Sequence, residues 1–253
     1  MDAGIQIFND NNSLIIDGTY RNYRLLSKGT VSINPAVTVD GYAAANAKIQ
    51  YQGKVGSVPV IAIRSDGGIC GISFTLKSGN NYTFYLSGGP FSGAQASATF
   101  QYYIFDLVQP TEDNGGPFVV WNEQGQVVFD SSLEYLIPTA TYTDATIESK
   151  WEQGFLSGER KIQLPAGRDY AIALFSGALD YYQEYNTYGG QAVYVQDVID
   201  CPQVGINSQG LANYAVRTVY TSDERYFGNS AGPANYRREG AYFMAFIDVT
   251  GFK

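Results

Sequence analysis

Two stretches of the chain, IFNDNNSLIIDG at 7–18 and VWNEQGQVVFDS at 120–131, follow one order of chemical types. Each opens on an apolar residue and an aromatic, continues with Asn and an acid, and passes through polar residues. Each then climbs three apolar residues and stops at Asp. Alternating apolar residues on either side of an Asn-rich or Gly-bearing bend are the pattern of a β-hairpin. Gly125 stands where the first stretch has Asn12, and Gly and Asn are the residues that best tolerate positive φ. The repeated hairpin thus consists of Phe8, Asn9 and Asp17 in one copy and Trp121, Asn122 and Asp130 in the other. The closing aspartates are expected to cap the turn that follows.

Two further pairs of segments echo each other in the same order. GNNYTFYLSG (79–88) resembles GRDYAIALFSG (167–177), and YYIFDLV (102–108) resembles MAFIDVT (244–250). The spacings differ, so the pattern is a duplication with unequal loops and not a solenoid of fixed period. The reading is two tandem antiparallel β-sandwiches, jelly-roll or Ig-like, each opened by a hairpin. The first covers 1–109 and the second 118–253, joined by a linker at 110–117 in the Pro- and Gly-rich run VQPTEDNGGPF. A single sandwich holding two ordinary hairpins is the alternative. Expected strands lie near 5–17, 23–33, 58–64, 69–76, 81–87 and 98–108, then near 118–130, 133–143, 160–164, 169–175, 191–199, 214–221 and 241–250. One short helix is expected within 145–156. Two long irregular stretches, 34–57 and 222–240, are expected to carry binding or assembly work.

Composition agrees with strands and turns. The chain has 21 Tyr, 14 Phe and 28 Gly among 253 residues. Its net charge is −8, with 16 scattered Lys and Arg, which argues against a phosphate-reading nucleic-acid binder. It has no histidine, which removes His-based triads and proton shuttles. Phosphate loops, dinucleotide motifs and the esterase elbow are missing from the sequence. Neither a cofactor nor a metal site is expected, and the acidic runs DNN (10–12) and EDNGG (112–116) read as turn solvation. Asp106, Asp197 and Asp248 lie in apolar strands, where a carboxylate more often bonds the adjoining turn than works in a catalytic pair. Cys70 and Cys201 read as small buried hydrophobes, with a single bridge as the alternative. The opening MDAGIQIFND has neither a basic nor an apolar signal region, and no apolar run is long enough to span a membrane.

The richest candidate surface is LDYYQEYNTYGGQAVYV (179–195), with Tyr181, Tyr182, Tyr185, Tyr188 and Tyr194. Tyrosine offers rigid amphipathic area, suited to a glycan platform, a subunit interface or cross-strand packing. Arg225, Tyr226, Phe227, Tyr236, Arg237 and Arg238 in the late loop have the aromatic-plus-arginine composition of interfaces.

GIQIFNDNNSLIIDGTYRNYRL and FVVWNEQGQVVFDSSLEYL together resemble a family of small virion proteins of long-tailed, siphovirus-like bacteriophages. The match covers Gly4 to about Tyr20, and 118–132 again. The resemblance implies a non-enzymatic structural component of the tail, near the tail tip or its fibres, made in the host cytoplasm and located in the virion. It implies partners among other tail proteins and copies of itself (a homo-oligomer, such as a trimer), host attachment through a surface glycan or protein, no nucleic acid and no membrane insertion. The alternatives carried beside it are a monomeric, lectin-like carbohydrate-binding module and a carboxylate-based glycan hydrolase.

Overall fold

The computed structural model of the chain describes residues 6–8, 14–17, 22–42, 45–64, 68–90, 97–107, 115–144, 160–174, 180–188, 192–206, 211–221, 225–226, 237–238 and 242–252. Every regular element among them is a β-strand. The first half holds β1 (Gln6–Phe8), β2 (Leu14–Asp17), β3 (Arg24–Ile33), β4 (Ala47–Gln52), β5 (Val60–Arg64), β6 (Gly68–Ser78), β7 (Asn81–Pro90) and β8 (Ala98–Asp106). The second holds β9 (Val119–Trp121), β10 (Val127–Asp130), β11 (Pro138–Asp144), β12 (Arg160–Gln163), β13 (Tyr170–Leu174), β14 (Asp180–Tyr188), β15 (Ala192–Ile206), β16 (Leu211–Thr221), β17 (Arg225–Tyr226), β18 (Arg237–Arg238) and β19 (Tyr242–Asp248). The helix expected within 145–156 and residues 110–114 of the expected linker lie outside the described residues.

Two large antiparallel sheets make up the body. One runs β11-β19-β13-β5-β8-β3 and the other has the path β12-β16-β15-β6-β7-β4. Each sheet takes three strands of its path from each half, in mirrored order: β3, β8 and β5 answer to β11, β19 and β13, and β4, β7 and β6 answer to β12, β16 and β15. The halves expected as separate sandwiches are therefore joined through both sheets. In the six-stranded sheet the junction pairs Ala173 with Ala62 and Ile172 with Ile63. In the other it is the pair Val204 and Cys70.

The duplication extends to register. In the hairpins Phe8 faces Leu14, Ile7 faces Ile16 and Gln6 faces Asp17; Trp121 faces Val127, Val120 faces Phe129 and Val119 faces Asp130. Both ladders slip at the same place. In β3 a bulge lies between Leu25 and Ser27, which face Phe105 and Ile104; in β11 it lies between Pro138 and Ala140, which face Ile247 and Phe246. A bulge repeated at one position of a duplicated unit is a built feature of that unit. One sequence echo needs correcting. GNNYTFYLSG forms β7 and GRDYAIALFSG leads into β13, which occupy non-equivalent places in different sheets. Its Tyr-plus-apolar pattern is common to many buried strands and does not mark descent. The YYIFDLV and MAFIDVT pair does occupy equivalent strands, β8 and β19.

Alternation explains the packing. On β5, Ile61 and Ile63 join the inter-sheet core of the first half with Phe84, Leu86, Phe100 and Ile104. Ala62, one residue out of step, joins a second cluster with Phe105, Ala171, Ala173 and Ile247. Successive strand residues point to opposite faces, so the six-stranded sheet is apolar on both sides and its strands read as unbroken hydrophobic runs (VIAI, YIF, MAFI). Tyr23, Leu25, Leu136 and Phe252 pack on that second cluster. Tyr23 and Leu136 belong to segments that cross-pair the halves once more: Arg24 bridges to Tyr135, and the Leu136 N–H donates to the Tyr23 carbonyl at 2.9 Å. The inter-sheet core of the second half contains Tyr170, Ile172, Ile206, Met244 and Phe246.

Candidate functional site

The second hairpin explains why Asn and Asp recur. The Asn122 side-chain oxygen accepts from the N–H groups of Gln124 (3.0 Å) and Gln126 (2.8 Å), and its amide donates to the Gln126 side chain (3.0 Å). One side chain thus satisfies the backbone of the bend. Gly125 has φ +71, the left-handed conformation the sequence required there. Asp130 is fully buried, and its Oδ1 accepts from the Ser132 N–H (2.8 Å) and hydroxyl (2.7 Å), the expected cap. A side chain at Gly116 would collide with Asp130, so the end of the expected linker is packed against the hairpin. Trp121 is exposed at 52%. Asn9 and Asn12 lie outside the described residues; Phe8 and Asp17 lie on β1 and β2.

The Tyr-rich segment and the late loop converge. Tyr181, Tyr182, Tyr185 and Tyr188 all lie on β14, which the sequence did not show as a strand. Arg225 and Tyr226 form β17, and Arg237 and Arg238 form β18; Phe227 and Tyr236 lie outside the described residues. β14 pairs with β15 along its length, and its other edge takes β18, with Tyr181 opposite Arg238 and Tyr182 opposite Arg237. β17 pairs on the far side of β15, with Tyr226 opposite Tyr194 and Arg225 opposite Val195. Val195 also faces Tyr185, so one row of the ribbon reads Arg225, Val195, Tyr185. The segments are therefore parts of one β17-β15-β14-β18 ribbon. Among the described residues, β14, β17 and β18 have no counterpart in the first half. Among the described residues, the ribbon is an addition to the plan that the two halves share.

Two of the strand carboxylates, Asp106 and Asp248, are structurally engaged. Asp106 is fully buried; it accepts from the Tyr51 hydroxyl (3.0 Å) and the Leu107 N–H (2.8 Å). Burial and that hydrogen bond push the Tyr51 phenol far above its ordinary value. Asp248, its equivalent in β19, is paired with Arg168 and accepts from the Thr250 N–H at 3.0 Å. Burial alone would raise its carboxyl, but the bonds from Thr250 and Arg168 outweigh it and hold the carboxyl below the usual range. Asp197 lies on β15 opposite Gln183. Cys70 is buried with a free thiol, so it is not bridged to Cys201.

A cleft of about 590 Å³ opens between the sheets, lined by Tyr23, Val60, Ile61, Phe74, Tyr82 and Leu174 among others. Its walls are mainly apolar, and the Tyr82 hydroxyl is already committed to the Ser57 carbonyl. Beside it, on the nine-stranded sheet, Tyr42, Phe74 and Tyr85 cluster around Asp40 and Lys48. The expectation for the 34–57 stretch flagged this region by loop length, but no residue pattern singled out Tyr42. No family model, no curated protein and no solved structure matches the chain.

Proposed function

We propose that this chain is a non-enzymatic structural component of a phage tail, near the tip or fibres, that works as a homo-oligomer and contributes to host attachment. In this reading residues 1–109 and 118–253 are two tandem units of jelly-roll or Ig-like kind that share their sheets. The observation that carries it is the repeated Asn-bearing hairpin, which has the pattern of the virion family and keeps the same register and the same slip in both copies. The β17-β15-β14-β18 ribbon, seen among the described residues in the second half alone and rich in Tyr and Arg, is the proposed contact surface to neighbouring subunits or the host. Repetition around a symmetry axis would raise the avidity of weak single contacts. The test is to purify phage particles that carry the gene, detect the chain in them by mass spectrometry and locate it with antibody against 180–188. Light scattering of the isolated protein should give a mass above one chain. A monomer found in no particle would overturn the reading.

A further inference from the structure

We infer that the turn before β4, with the sheet face beneath it, is a binding subsite for a neutral saccharide unit. It lies on the first half, apart from the ribbon, and stands independently of the tail assignment.

The site is built by a two-residue bend. Val39 and Tyr42 bridge across it, and Asp40 (φ 54) and Gly41 (φ 77) both adopt positive φ. That is the Asp-Gly form of a type I′ turn, which leaves the neighbouring side chains in fixed directions. The loop is tied down behind it: the Ala45 N–H donates to the Tyr42 carbonyl, and the Asn46 amide donates to the Val37 carbonyl, each at 3.0 Å. Beneath the turn a row crosses three strands, with Lys48 on β4 opposite Tyr85 on β7 and Tyr85 opposite Phe74 on β6.

The rings interlock. Phe74 and Tyr85 stack at 4.5 Å, and Tyr42 stands edgewise to both, at 5.0 and 5.1 Å. Tyr85 is only 5% exposed, whereas Tyr42 is 42% exposed, so the outermost ring is held rigid by the inner two while keeping free area. Nothing lies within 4 Å of where a side chain at Gly41 would stand, which leaves the space over the turn open.

Beside that ring sits a charged pair with spare capacity. Lys48 Nζ donates to both Asp40 oxygens at 2.8 Å, and the Tyr85 hydroxyl donates to Oδ2 at 2.8 Å. The ammonium has three donors and the carboxylate about four acceptor positions. One donor and one acceptor remain, adjacent to each other on groups exposed by 37% and 40%. A pyranose matches this combination: an apolar C–H face for the ring and neighbouring hydroxyls for the donor and acceptor. A wholly apolar ligand would strip water from the ion pair without replacing it. An acidic ligand would meet the Asp40 carboxylate. The ring is already ordered, so little conformational entropy is lost on binding.

The duplicated half shows that the fold does not require this cluster. Lys-Ile-Gln recurs at 161–163 on β12, but Lys161 faces Asn213 where Lys48 faces Tyr85.

Saturation-transfer NMR on the full chain, with methyl glycosides of glucose, galactose, mannose and N-acetylglucosamine and with glucuronic acid, tests the inference. At least one neutral sugar should receive transfer. Tyr42→Ala and Lys48→Met should each weaken its binding about tenfold, and Tyr42→Phe should preserve it. Near-UV circular dichroism would confirm that each variant is folded. The inference falls if no neutral sugar receives transfer, if glucuronic acid is preferred, or if folded Tyr42→Ala and Lys48→Met bind as the parent does. If Tyr42→Ala does not fold, Tyr42→Phe and Lys48→Met decide.

Discussion

The two halves of this chain share a plan and differ in what hangs from it. Strand order, hairpin register and the bulge after the first sheet residues repeat. Among the described residues, connections and surfaces differ: the ribbon belongs to the second half, and the Tyr42–Tyr85 cluster to the first. Backbone pairing and core packing tolerate little change, because interiors are close-packed. Loops tolerate insertion at small entropic cost. A repeated strand plan can therefore hold its frame while its two halves acquire different edges.

The comparison breaks most readily at the cores. Phe84 lies in the inter-sheet core of the first half and Phe246 in that of the second, at 3% and 0% exposure. Phe84→Ala and Phe246→Ala should each cost about 3–5 kcal/mol. Because both sheets cross the midline, each variant should shift one common urea transition. Two separate transitions, with only one displaced, would mean that the halves fold independently.

The hairpins offer a finer test. Asp130→Ala strands the Ser132 N–H and should cost about 1–3 kcal/mol in thermal or urea unfolding. Asp17→Ala should fall in the same range if the copies do the same work, and a negligible loss would separate them. Gly125→Ala places a side chain at φ +71 and should cost about 1 kcal/mol, whereas Gly125→Asn, which copies the first hairpin, should cost clearly less. Equal losses would show that the Asn12 bend has another geometry.

The smallest effect separates the equivalent carboxylates. Asp248 titrates lower in the fold than in the unfolded chain, so the unfolded chain takes up its proton first as pH falls. Its contribution is complete above about pH 5, about one unit over the ordinary carboxylate value, and is lost as pH drops through the folded value. Arg168 is 58% exposed and well screened, so the loss should be small. Asp248→Asn should flatten the stability profile between about pH 5 and pH 3; an unchanged slope would remove Asp248 as its source.

Much of this was legible in residues. The hairpin strands, the bend of the second hairpin and most body strands follow from alternation and turn chemistry. β4 did not, because AKIQYQ sits inside a run of small polar residues and its outward Lys and Gln masked the inward Ala47 and Ile49. β14 did not, because DYYQEYNTY has no clear apolar alternation and becomes a strand through its pairing with β15. The Lys-Ile-Gln repeat at 48–50 and 161–163 was a visible signal of the duplication that the hairpin comparison passed over.

By itself the sequence determined an all-β chain, the duplicated hairpin and the residues its bends demand, since those depend on local backbone preference and period-two patterning. Only the tertiary structure decided that the halves share both sheets, that the Tyr-rich segment and the late arginines meet in one ribbon, and that Tyr42 stands over Tyr85 beside Asp40. Those juxtapositions join residues far apart in the chain, and strand pairing at such range is selected by the packing of the whole and not by any local preference.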